Sequence, residues 1–165
     1  MLRRCWIVSL LPVILLGVGA CQPAETEPAA TAPTESTEAD LAALRELVRN
    51  YDDYANSDDL GSLVALFADD AVRMPPDQPA IQGREAIRSQ SEAFSAENTG
   101  ELSSTVEDVR VSGDWGFVRI SYTESSTPRA GGETTTTVGK WILICERQAD
   151  GSWQITNEMW STYEP

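Results

Sequence analysis

Leu41, Leu44, Leu47, Val48, Tyr51 and Tyr54 recur every three or four residues, with Asp40, Arg45, Glu46 and Arg49 between them. That spacing puts the apolar side chains on one face and predicts an amphipathic helix from Asp40 to about Ala55. Ser57-Asp58-Asp59 then offers caps for a second helix with the stripe Leu60, Leu63, Val64, Leu66 and Phe67. Asp69 to Met74 reads as a short extended piece stopped by Pro75-Pro76, and Gly83-Arg84-Glu85-Ala86-Ile87 opens a third helix running to about Ala96. After Asn98-Thr99-Gly100 the period changes from helical to two. Strands are predicted over Leu102 to Val111, Trp115 to Glu124, Thr134 to Arg147 and Trp153 to Ser161. Gly113-Asp114 and Ala149-Asp150-Gly151 mark hairpins, and Ser125 to Gly132 a looser connection. Val106 is out of phase with Val109 and Val111, the mark of a bulge that bends the sheet.

Helices first and strands second predict an α+β domain over residues 40–165, a curved antiparallel sheet wrapped around three N-terminal helices. Its length suits one domain, and no internal repeat is present.

Residues 1–39 have a different character. Arg3 and Arg4 precede a run from Trp6 to Val18 interrupted only by Ser9 and Pro12, a charged segment followed by an apolar one too short to span a bilayer. The run closes on Val18-Gly19-Ala20-Cys21, which resembles the bacterial lipobox. The resemblance implies a signal peptide over residues 1–20 and lipidation of Cys21. An ordinary secretory signal cut after Ala20 is the alternative. From Gln22 to Glu38 the chain has Pro23, Pro28 and Pro33 among Ala, Thr, Ser and Glu, with no large apolar side chain, so residues 21–39 read as a disordered tether. The expected location is the cell envelope, with the membrane engaged through the N-terminal lipid. In a diderm, Gln22 after the cysteine resembles the outer-membrane sorting pattern, facing the periplasm.

Charge narrows the partners. Loss of Arg3 and Arg4 with the signal leaves 10 Lys and Arg against 26 Asp and Glu, a formal charge of 10 − 26 = −16, which disfavours nucleic acid and anionic lipid. The chain has no histidine, so histidine-based nucleophilic pairs, histidine-liganded metals and a histidine base are excluded. Acid–base chemistry falls to Asp, Glu, Tyr or Lys. Asp52-Asp53, Asp58-Asp59 and Asp69-Asp70 invite a metal reading, but the last two pairs lie at predicted helix edges, where carboxylates cap. No metal and no cofactor is expected. Cys145, within an apolar strand, is the one cysteine of the domain and reads as a small hydrophobe.

The segment Asn56-Ser57-Asp58-Asp59-Leu60 through Leu63-Val64-Ala65-Leu66-Phe67-Ala68-Asp69-Asp70-Ala71-Val72, then Gln82-Gly83-Arg84-Glu85-Ala86-Ile87, resembles the nuclear transport factor 2-like superfamily in its SnoaL-like and ketosteroid-isomerase branches. Asp150-Gly151-Ser152-Trp153-Gln154-Ile155 and Asn157-Glu158-Met159-Trp160 extend the likeness over nearly the whole domain. The resemblance implies a cone with a mostly apolar pocket at its open end and a homodimer formed through the sheet. It does not fix a function, because the same cone hosts isomerases, cyclases, dehydratases, binding modules and assembly domains.

Ketosteroid isomerisation needs a carboxylate base and an oxyanion hole of tyrosine plus a protonated aspartic acid. The resemblance puts Tyr51 at the tyrosine position, Pro75 at that of the base, and no aspartate at the second donor, near Lys140 to Leu143. That mechanism is therefore not expected. The same alignment turns Thr156, Glu158 and Trp160 toward the pocket, with Tyr51, Met74, Trp141 and Leu143 on its other walls. Tyr51 and Glu158 are the candidates for proton transfer; the alternatives are a core tyrosine and a glutamate paired with an arginine such as Arg119. Three functions follow: binding of a small, mainly apolar molecule, proton-transfer catalysis by Glu158 and Tyr51, and a dimeric assembly domain.

Overall fold

The computed structural model of the chain describes residues 37–163. The segments expected to be a signal peptide and a tether, with Cys21, lie outside the described residues up to residue 36.

Helix α1 runs over Glu38–Asn56 and starts two residues before the Asp40 expected from its apolar stripe. The cause is a capping box. Thr37 Oγ1 accepts the Asp40 amide at 3.2 Å and the Asp40 carboxylate accepts the Thr37 amide at 3.3 Å, so Thr37 and the two residues after it belong to the helix rather than to the tether. Helix α2 covers Leu60–Ala65, capped by the Asp59 side chain on the Ser62 amide. It is shorter than its stripe suggests. The Leu66 carbonyl accepts the Ile155 amide at 2.8 Å, and Phe67 opens strand β1, Phe67–Met74. Asp69 and Asp70 therefore lie exposed in a strand, not at a helix edge, and Asp69 pairs with Arg84. A two-residue strand β2, Ile81–Gln82, precedes helix α3 over Arg84–Glu97. Strands β3 (Asn98–Ser112), β4 (Trp115–Pro128), β5 (Thr135–Arg147) and β6 (Trp153–Tyr163) complete the chain.

The six strands form one sheet in the order β2-β1-β6-β5-β4-β3. All neighbours pair antiparallel except β1 and β6, which run parallel. The sheet is thus mixed rather than antiparallel throughout, and α3 follows two strands instead of preceding all of them. The bulge at Val106 is present: pairing with β4 shifts between Val106 and Asp108. A second shift, between Ile144 and Cys145 on β5, leaves Thr156 as the extra residue of β6.

The core lies between the concave face of the sheet and the helices. Leu44 and Val48 of α1, Phe67, Ile87 of α3, Val118, Ile120, Leu143, Cys145 and Ile155 are almost wholly withdrawn from solvent. Each large apolar side chain buried this way contributes about 1.5–3 kcal/mol. Gly116 makes the close approach of α1 possible, because a Cβ there would sit 2.6 Å from Leu44 Cδ1.

Candidate functional site

Two features of register decide which side chains reach the inside of the curved sheet. On β6, Ile155 opposes Cys145 and Asn157 opposes Ile144, so the bulge at Thr156 resets the alternation. Glu158 then lies opposite Leu143, and Trp160 opposite Trp141. Thr156 drops out of that face and donates its hydroxyl to the Ile144 carbonyl at 3.1 Å. On β1, the parallel register sets Arg73 beside Glu158 and Met74 beside Met159, which is 45% exposed. Met74 therefore faces away from the site and Arg73 faces into it.

A cavity of about 440 Å³ lies between this concave face, α1, α2 and α3. Of the pocket residues expected from the sequence, Tyr51, Trp141, Glu158 and Trp160 line it. Leu143 lies deeper, fully enclosed in the core. Met74 and Thr156 do not reach it, for the reasons of register just given.

At one wall Arg73, Glu158 and Tyr51 form a closed set. Arg73 Nε donates to Glu158 Oε2 at 2.5 Å, Tyr51 Oη donates to Glu158 Oε1 at 3.0 Å, and Arg73 Nη2 donates to Tyr51 Oη at 3.2 Å. Arg73 Nη1 donates to Gln90 Oε1 and Ser91 Oγ of α3, at 3.0 and 3.1 Å. Arg73 and Glu158 retain only 6% and 2% of their exposure. Burial works against the charge of Arg73, but the carboxylate of Glu158 and the oxygen of Tyr51 more than offset it and hold the guanidinium above its ordinary value. The Tyr51 phenol is pushed far above its ordinary range, first by burial and then by the neighbouring Glu158. Its ring stands edge-on to Trp141, centroids 4.5 Å apart. Arg119, the partner expected for Glu158, is exposed on β4, where it opposes Asp108 and Ile142.

From β4, Tyr122 and Glu124 line the same cavity. The Tyr122 ring rests against Gly139, where a Cβ would strike both the ring and the Ser161 carbonyl. Glu124 is partly buried and, among the described residues, has neither a hydrogen-bond nor a salt-bridge partner; burial raises its carboxyl above the usual range. Trp141 is 4% exposed and its indole N–H also lacks a partner. Cys145 lies in the core, its thiol pushed up to about 12 by burial, which removes it from nucleophilic chemistry.

Sequence reasoning missed Arg73, Tyr122 and Glu124. A signal for the last two was available, since Val118, Ile120, Tyr122 and Glu124 continue one alternation. None existed for Arg73, whose place depends on pairing with a strand 85 residues away.

The family model described as the SnoaL-like domain matches residues 48–155. Among solved structures, a ketosteroid isomerase-like protein from Erwinia carotovora atroseptica is 25% identical, with a TM-score of 0.72, covering 78% of this chain and all of that one. A candidate aromatic ring hydroxylase from Novosphingobium aromaticivorans is 18% identical, with a TM-score of 0.69 over 79% of this chain and 94% of its own. A candidate dehydratase of the nuclear transport factor 2-like family from Streptomyces avermitilis is 17% identical, with a TM-score of 0.69 over 78% of this chain and all of its own. No curated protein matches the chain.

Proposed function

Since this chain belongs to the SnoaL-like domain family, we propose that its cavity binds a small, mainly apolar molecule without turning it over, on a lipid-anchored protein of the cell envelope. The observation that carries this reading is the closure of the Arg73, Glu158 and Tyr51 set on itself. Both oxygens of Glu158 are taken, one by a guanidinium and one by a phenol. A substrate would have to compete with the guanidinium or the phenol to reach this buried carboxylate, and burial resists ionisation of Tyr51. The sequence resemblance puts Pro75 where a ketosteroid isomerase would need its base. The set is better suited to holding α1, α3, β1 and β6 around an open cavity than to moving protons.

The volume of about 440 Å³ falls within the range of small-molecule sites, and the rings of Tyr51, Phe94, Tyr122, Trp141 and Trp160 contribute to the walls. Two structural neighbours carry the names of a candidate dehydratase and a candidate hydroxylase, so catalysis by Glu158 and Tyr51 is the competing reading.

Native mass spectrometry of the chain from residue 21 onward, with Cys21→Ser and gentle purification, separates the two readings. A reproducible adduct that is recovered chemically unchanged after incubation supports binding. Conversion of that compound, abolished by Glu158→Gln, would replace binding with catalysis. Globomycin-sensitive processing of the native chain, and its release from membranes by Cys21→Ala, tests the anchor.

A further inference from the structure

The charges around the cavity do not balance. Arg73 is the one basic residue of its lining and is committed to Glu158, while Arg129 is committed to Asp58 at 2.9 Å. Glu97, Glu101 and Glu124 line the same space with no basic partner among the described residues. Glu124 is the innermost of the three by burial, with the other two exposed. It shares the cavity with the aromatic rings of Tyr122, Trp141 and Trp160.

An uncompensated carboxylate in a partly desolvated, aromatic-walled space selects strongly among ligands. A neutral apolar occupant strips water from Glu124 and returns nothing. An anion is repelled. A cation gains twice, from a charge-assisted hydrogen bond or ion pair to the carboxylate and from the faces of the aromatic rings.

We propose that the ligand is an organic cation, an apolar skeleton bearing a protonated amine or quaternary ammonium, with the cation seated between Glu124 and the rings of Tyr122, Trp141 and Trp160. This rests on the reading of the cavity as a binding site and adds the ligand's chemical class. The closed set of Arg73, Glu158 and Tyr51 then forms a charge-compensated part of the lining against which the apolar skeleton packs.

The test is calorimetric titration at neutral pH and low salt of the Cys21→Ser chain from residue 21 onward with three probes of one skeleton: phenylbutylamine, phenylbutanol and phenylbutyrate. The amine is expected to bind about tenfold more tightly than the alcohol, the scale of one charge-assisted contact in a partly buried site, and the carboxylate most weakly. Glu124→Gln is expected to erase the advantage of the amine over the alcohol, and Glu124→Asp to restore part of it. Equal binding of amine and alcohol, tighter binding of the carboxylate, or an amine preference that survives Glu124→Gln overturns the assignment while leaving the cavity as a binding site. Failure of all three probes to bind overturns both.

Discussion

Arg73 Nε and Glu158 Oε2 lie 2.5 Å apart on the parallel neighbours β1 and β6, with 6% and 2% of their residue surfaces exposed. Two opposite charges buried this deeply have given up most of their hydration, and only their mutual contact with Tyr51, Gln90 and Ser91 offsets that loss. Loss of one partner is therefore far worse than loss of both. Arg73→Met or Glu158→Leu alone is expected to lower unfolding free energy by about 3–5 kcal/mol, whereas the double variant recovers most of that deficit. Urea denaturation of the four proteins checks it, and equal losses in single and double variants would show that water reaches the pair.

Tyr51, together with Tyr122 and Cys145, makes the protein sensitive to alkali. Burial raises the Tyr51 phenol far above its ordinary value, and raises Tyr122 to about 12 and Cys145 to about 12. For groups whose folded pKa is raised, the stabilising contribution is complete below the unfolded pKa, about 10 for tyrosine and 8.5 for cysteine, and is lost as pH climbs toward the folded value. The melting temperature is expected to hold through neutrality and fall steadily from about pH 9 upward. Tyr51→Phe flattens that decline while costing about 1–2 kcal/mol at neutral pH, because its ring still packs on Trp141 but the Glu158 and Arg73 bonds are gone. A variant as alkali-sensitive as the parent would place the sensitivity elsewhere.

How much of this was legible beforehand follows the range of the interactions. Helices α1 and α3, the hairpin turns and the bulge near Val106 are written in neighbouring residues, and the sequence pattern locates them to within a few positions. The inward turn of Arg73 depends instead on β1 running parallel to β6, a pairing between distant segments that no local period encodes. Thr156 was lost to the site, and Glu158 and Trp160 kept in it, by a single extra residue in β6 that alternation alone does not reveal. Glu124 was legible as an inward position; its lack of a partner was not, because that depends on which bases the rest of the fold has already claimed.

Glu124 sets function against stability. Its carboxyl is raised by burial with no bond to hold the charged form, so the folded chain keeps a proton that the unfolded chain releases, and stability falls as pH rises from the unfolded carboxyl value, about 4.3, through the raised one. Glu124→Gln removes that loss. The variant is expected to melt higher than the parent at pH 7, with the difference vanishing near pH 4. Differential scanning calorimetry at the two pH values decides it; a destabilised variant at pH 7 would mean that Glu124 has a stabilising partner in solution.

The outer face of the sheet bears on assembly. Phe117 opposes Ile144 and Ile142 opposes Met159, and Ile144 and Met159 are 37% and 45% exposed. Exposed apolar side chains on neighbouring strands suit burial against a partner, with the exposed Arg119 beside Ile142. A second copy of the chain is the proposed cover, with the same strands meeting face to face about a two-fold axis. Because the cavity opens on the inner face, disruption of the dimer should leave ligand binding intact. Ile144→Asp combined with Met159→Asp is expected to convert a dimer into a folded monomer, because a charge buried without a partner in such a face costs several kcal/mol per site. Sedimentation velocity at micromolar concentration provides the measurement. A wild-type chain that sediments as a monomer would remove the sheet from assembly and leave its apolar outer face to some other partner.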